Sequence, residues 1–237
     1  MLSIKNWDNK TWISSTKYIK SFNNFLLKQK KLNKESKILD IGCGRGKIIG
    51  SLSTKLKLKN KPIGLDIENH KDKDKRIIFK KISAIKYLKN NKKKFDLILI
   101  KQTIHFFNNQ EIKELLKYAY ACLNFKGIIL ILSLDTKNNE IPTFSLMARK
   151  LQVSFNKEDI IRKNILRFKK KKTITEFNFK VNIKKRIYLN MIKQRYISSL
   201  LNLNNNQILK GMKEVDSKYK NNMTFNDKLN CIIFKKN

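Results

Sequence analysis

The chain has 237 residues, enough to bury a sizeable core in one large α/β domain or in a core with an elaborated cap. Its 41% hydrophobic and 10% aromatic content, with seven Gly and two Pro, excludes global disorder, and its longest apolar runs, such as GIILIL at 127–132, fall far short of a membrane span. The formal charge of +36 would suit nucleic acid, but only seven of the 54 basic residues are Arg, and the Lys excess amid Asn and Ile is what an A/T-biased genome produces without selection for a partner.

Taken in chain order, the segment around Trp12, Tyr18, Ile19, Phe22, Phe25 and Leu26 has helical spacing and predicts one or two helices ending near Lys30. KILDIG (37–42) predicts a buried strand and KIIGSLSTKL (47–56) a helix with one apolar face. PIGLDI (62–67), RIIFKKI (76–82) and FDLILI (95–100) predict three more strands. QEIKELLKYAYACL (110–123) predicts a helix closed by Asn124 and Gly127, and GIILILSL (127–134) a fifth strand. Strands alternating with helices predict a doubly wound parallel sheet of right-handed βαβ units.

After Asp135 the rhythm changes. Residues 143–168 read as helical with an interruption near Ser154, and TITEFNFKVNI (173–183) alternates as a strand. Residues 184–203 read as one helix and 205–219 as another, and KLNCIIFK (228–235) reads as a last strand. The expected organisation is an N-terminal helical segment (1–34), a Rossmann-like ligand-binding core (35–136), and a C-terminal part (137–237) whose helices form a lid and whose two strands complete the sheet.

The chemistry is concentrated in KILDIGCGRGK. A dinucleotide loop would need a glycine at residue 47, which is Lys, and a phosphate-binding Walker loop would need a Ser or Thr after Gly46-Lys47, where Ile48 stands. What remains is an acid followed by alternate glycines: Asp40, Gly42, Gly44 and Gly46. Glycines permit φ > 0 and close approach of a ligand, and an acid at the strand end suits a cationic ligand. Cys43 reads as a small residue within the loop. The three cysteines and two histidines form no zinc or disulfide pattern, so no metal is expected.

These residues resemble the first motif of class I S-adenosylmethionine-dependent methyltransferases, in the methyltransferase type 11-like group. PIGLDI resembles the second motif, FDLILIKQTIHFF the fourth, and NFKGIILILSL the fifth-strand turn, so the resemblance covers roughly 36–135. It implies a mostly parallel sheet with a C-terminal antiparallel strand, and S-adenosyl-L-methionine as cofactor. It implies that Gly42, Gly44 and Gly46 let the cofactor approach, that Asp40 orients the loop or the methionine amino group, and that Asp66, followed by Ile67, clamps the ribose. Lys101 joins the cofactor set. At the third motif Ser83 stands where the family usually has an acid, leaving Ile82, Ser83 and Ala84 to recognise adenine. The helix that usually follows the second strand is lost from ENHKDKDK.

On the acceptor side, Gln102 and His105 follow the fourth strand, with His105 as general base, as a donor to an acceptor carboxylate, or as a residue packed on Phe106. His70, in a charged loop, is expected to be exposed. YLNMIKQRYISSLLNLNNNQILKGMKEVDSKY followed by TFNDKLNCIIF resembles, more weakly, the tail of trans-aconitate methyltransferase relatives, which implies a helical segment closing over the acceptor pocket with Arg195 and Tyr196 in it. Trp12, Trp7 and Arg149 are further pocket candidates. The expected function is methylation of a small molecule, as O-methylation of an organic acid, with a carboxylate as a candidate acceptor, by a cytoplasmic enzyme with no membrane partner. RNA methylation, for which nucleic acid would be the partner, and an inactive binding or assembly protein on the same fold are the alternatives.

Overall fold

A computed structural model describes residues 11–237. Seven strands form one sheet in the order β3-β2-β1-β4-β5-β7-β6. The strands are β1 (Ile38–Ile41), β2 (Ile63–Asp66), β3 (Ile78–Lys81), β4 (Phe95–Lys101), β5 (Leu123–Leu134), β6 (Thr173–Lys184) and β7 (Asn222–Lys235). The first five pair in parallel, and β7 runs antiparallel to both β5 and β6. The doubly wound sheet and its C-terminal antiparallel strand are therefore as expected.

The period-2 pleat divides the central strands between two cores. Leu97, Leu99, Leu130 and Leu132 join one cluster, whereas Ile98, Ile100, Ile129 and Ile131 join the other. All eight are essentially solvent-free, which is why these strands read as unbroken apolar runs. Helices α1 (Thr16–Gln29) and α2 (Lys47–Leu56) cover the first face. On the second lie α3 (Ala84–Lys89) and α4 (Asn109–Ala121), the latter opened by a reciprocal capping box between Asn108 and Glu111. Between Asp66 and Ile78 there is no helix, as the shortness of that segment required. The short α3 escaped the sequence reading because six residues carry too little periodicity.

Two helix assignments are corrected. Helix α5 (Ser145–Leu166) runs through Ser154 without a break, because the Ser154 hydroxyl donates back to the Lys150 carbonyl at 3.2 Å. What changes along α5 is its apolar face. Met147, Leu151 and Phe155 enter the first core, whereas Ile161 and Ile165 enter the second. The helix read over 184–203 ends much earlier, as α6 (Lys185–Lys193), followed by a 3-10 turn at Ser198–Leu200 and then by α7 (Asn205–Lys218). Arg195 takes the left-handed conformation (φ 53°) just beyond α6. Its N–H donates to Ile192 and that of Tyr196 to Met191, a Schellman stop made without glycine.

The N-terminal segment is fastened to the far end of the sheet. Trp12 Nε1 donates to Asp227 Oδ2 at 2.8 Å, and the indole packs edge-on to Tyr196 and Phe225. Asp227 is only 1% exposed. Trp12→Phe keeps most of the packing but removes the donor from a buried carboxylate. It is expected to cost about 1–3 kcal/mol, measured by denaturant unfolding against the parent chain.

Candidate active site

The chain moves outward from β1 to β2 and β3, then returns to the other side of β1 as β4. The loops leaving β1 and β4 therefore diverge at the carboxyl edge, the switch point where doubly wound sheets open a crevice. A cavity of about 510 Å³ occupies this position.

At its β1–β2 end the glycine loop and Asp66 hold each other. The N–H groups of Gly42 and Cys43 both donate to the Leu65 carbonyl, at 2.8 and 3.0 Å. That of Gly44 donates to Asp66 Oδ2 at 2.9 Å, and that of Glu68 to Asp66 Oδ1 at 3.0 Å. His70 Nε2 lies 3.3 Å from Asp66 Oδ2. Burial pushes the Asp66 carboxyl upward, but the bonds from His70, Glu68 and Gly44 outweigh it and hold the carboxyl below its ordinary value. His70 is thus a buried partner of Asp66, four residues along, and the expectation of an exposed histidine is overturned.

The glycines have separate reasons to be there. Gly44 has φ +54°, and a Cβ built on it meets nothing within 4 Å, because the loop there faces the cavity. A Cβ on Gly42 would collide with Thr103. Gly46 caps α2 against Ile77 and, unlike Gly42, Cys43 and Gly44, does not line the cavity. Burial keeps the Cys43 thiol protonated.

Asp40 is 4% exposed. Burial pushes its carboxyl up to about 7, with the Lys101 ammonium opposing and Asp66 adding to the shift. Lys101 Nζ donates to Gln102 Oε1 at 2.7 Å and stands over the rings of Tyr18 and Phe22. Gln102 itself has φ 51°, a strained conformation at the end of β4. Ile67, Ser83 and Ala84 line the outer wall, where Ser83 occupies the cap position of α3 without a capping bond from its side chain. An open cradle at Gly44 beside a pre-oriented Asp66 carboxylate and a nearby Asp40 fits a cationic nucleoside, with Ile67 and Ala84 as apolar surfaces for its base.

The other end of the cavity is walled by Trp12, His105, Arg195 and Tyr196. His105 lies in the 3-10 turn after β4 and tilts against Phe106, with ring centroids 4.2 Å apart. Its Nδ1 is 4.0 Å from Glu158 Oε1 of α5. Burial, with Lys157 adding to it, pushes the imidazole down to about 4, so it is neutral at physiological pH. Burial likewise raises Glu158 to about 7, reinforced by Asp159. The Arg195 guanidinium donates through one terminal nitrogen to the Leu203 carbonyl and Asn205 Oδ1. The Tyr196 hydroxyl is engaged with that of Tyr188 at 2.7 Å, so Tyr196 serves as wall. Arg149 is exposed and outside the cavity, which corrects its assignment, and Trp7 falls outside the described residues.

Three lining residues, His70, Glu158 and Asp227, went unread as site residues in the sequence. Two left a signal. Phe225, Asp227, Leu229 and Cys231 alternate on the buried face of β7, and Glu158 shares a helical face with Leu151 and Phe155. In each case an acid occupies a position patterned for burial.

Residues 38–127 match the family described as methyltransferase domain. No curated protein sequence matches the chain. Among solved structures, the plantazolicin methyltransferase BpumL, bound to a monoazolic desmethylPZN analogue and SAH, superposes with a TM-score of 0.55 at 18% identity, covering 98% of this chain and 88% of its own. A putative methyltransferase from an antibiotic biosynthesis pathway of Anabaena variabilis superposes with a TM-score of 0.63 at 16% identity, covering 90% of this chain and 95% of its own. A SAM-dependent methyltransferase from Archaeoglobus fulgidus gives 0.53 at 18% identity, covering 92% and 94%. The sheet order, the glycine loop paired with Asp66 and the match agree: residues 38–127 form a methyltransferase domain, set in the Rossmann-like fold of S-adenosylmethionine-dependent methyltransferases.

Proposed function

We propose that the protein transfers a methyl group from S-adenosylmethionine to a small-molecule acceptor, as O-methylation of an organic acid. The observation that carries the cofactor reading is the bond from the Gly44 N–H to Asp66, made in a loop whose Gly44 faces open space. The cofactor supplies a methyl group on a positively charged sulfur, which an acceptor lone pair takes as the carbon–sulfur bond breaks to leave S-adenosylhomocysteine. Asp66 receives the ribose hydroxyls, since a carboxylate has lone pairs beyond those its protein partners use. Asp40 favours the cationic methionine end, and Lys101, Gln102 and His105 border the space beside the reacting methyl.

The acceptor reading rests on Arg195. A glycine would end α6 without strain, yet an arginine is held there in a conformation that costs roughly 1 kcal/mol. Its Nε is buried at the cavity wall and has no hydrogen-bond partner among the described residues. A carboxylate suits the guanidinium of a side chain that lines the cavity, and a carboxylate is already ionised and needs no base. His105 then acts as a neutral hydrogen-bonding contact to the acceptor. The largely apolar lining of the cavity suits a small molecule.

Calorimetric titration with S-adenosylmethionine and S-adenosylhomocysteine tests the cofactor reading. Both are expected to bind, and Asp66→Ala is expected to weaken both at least about tenfold, through the loss of hydrogen bonds to a charged group. No binding to the parent chain would refute the reading. The titration also has a pH signature. A cationic ligand requires Asp40 ionised, so S-adenosylmethionine affinity is expected to fall about tenfold between pH 8 and pH 6 as the carboxyl takes up its proton near pH 7. Asp40→Asn should flatten that dependence. For folding the sign is opposite: the raised pKa favours the folded chain at low pH, and this contribution is lost as pH rises through about 7.

A further inference from the structure

Two buried polar atoms on cavity-lining side chains lack a hydrogen-bond partner among the described residues, and their chemistry is complementary. Arg195 Nε is a donor and Glu158 Oε2 an acceptor. Both side chains line the same cavity and keep hydrogen-bonding capacity that the protein does not use, so a ligand carrying both an acceptor and a donor fits them. They stand on elements that meet: α5, which carries Glu158, packs against the 3-10 turn at Ser198–Leu200, just beyond Arg195, and against the turn that carries His105. Around them the wall is apolar, with Ile141, Leu151, Phe155, Phe106 and Leu201.

The balance of charge supports a cationic group on the acceptor. The lining includes five acids, Asp40, Asp66, Glu111, Glu158 and Asp227, against Lys101 and Arg195, in a chain whose Lys and Arg outnumber its Asp and Glu by 54 to 18. Asp40 and Asp66 are accounted for by a cationic cofactor, and Asp227 by Trp12. Glu158 sits beside a histidine that does not neutralise it, and its second oxygen is left over.

We propose that the acceptor is amphoteric, an amino acid or amino-acid-like molecule with an apolar side chain, whose carboxylate meets Arg195 and whose ammonium meets Glu158. An ammonium held by Glu158 stays protonated and is not a nucleophile, so the carboxylate oxygen remains the atom that receives the methyl group. This rests on the methyltransferase reading above and narrows its substrate class.

The test uses the full chain saturated with S-adenosylhomocysteine and three matched probes: L-phenylalanine, 3-phenylpropionate, which lacks the amine, and 2-phenylethylamine, which lacks the carboxylate. Calorimetry is expected to show L-phenylalanine binding about tenfold or more tightly than either truncated probe. Glu158→Gln should reduce L-phenylalanine to the level of 3-phenylpropionate while leaving the latter unchanged. Arg195→Gln should reduce it to the level of 2-phenylethylamine. Equal affinity for 3-phenylpropionate and L-phenylalanine would overturn the proposal, as would equal losses for both in Glu158→Gln, or no probe binding where S-adenosylhomocysteine still binds. Failure of S-adenosylhomocysteine to bind the parent chain would instead bring down the cofactor reading on which the proposal stands.

Discussion

The carboxylate of Asp66 is the point on which the site turns. It ends β2, and from there it accepts the Gly44 N–H of the neighbouring loop, the Glu68 N–H of its own, and the approach of His70. Each bond fixes a different segment. The first keeps the glycine loop folded back over β2 with Gly44 open to the cavity. The second turns the chain away from the sheet where a helix would ordinarily follow. The third draws His70 inward, so that the short, charged connection to β3 is anchored despite having no helix of its own. A carboxylate that holds three protein groups is also one whose orientation is settled before any ligand arrives, which lowers the ordering cost of binding.

The sheet was legible because its strands are buried on both faces, and continuous apolar runs such as FDLILI carry that signature. The glycine loop was legible because alternate glycines after an acid exclude the phosphate-binding spacings. Helix ends were harder. Arg195 stops α6 in a conformation normally left to glycine, so the pattern ran on through it. Ser154 looked like a cap yet spends its hydroxyl within α5. The acceptor wall was least legible, since its residues lie far apart in sequence and only folding joins them. His105 and Glu158 meet because a turn after β4 abuts the middle of α5, and Trp12 and Asp227 meet because the first described residues cross to the last strand.

The same assembly reconciles the charge of the chain with its cavity. Lysine covers an exterior that faces water, where a surplus costs little and salt screens it. Four of the 18 acids are placed differently: Asp40, Asp66, Glu158 and Asp227 are buried or nearly so around one space. Burial raises the carboxyls of Asp40, Glu158 and Asp227, while Asp66 alone among these is held low by its hydrogen bonds. Among these four, one carboxylate is held ionised by its protein partners, while the charge of the others depends on what lies next to them.

Helix α5 has a consequence of another kind. Its first half is fixed in one core and its second half in the other, and Glu158 lies in the stretch between them. It is a beam supported at both ends across the open edge of the sheet. A change of volume in either core, even far from the cavity, tilts the beam and moves the carboxylate it carries. With Glu158 as an acceptor contact, as proposed, choice of substrate and integrity of the hydrophobic interior are not separate traits in this protein. Neutral drift among its Leu and Ile residues would be felt as drift in what it accepts, and a lineage could retune the pocket without replacing a single residue that lines it.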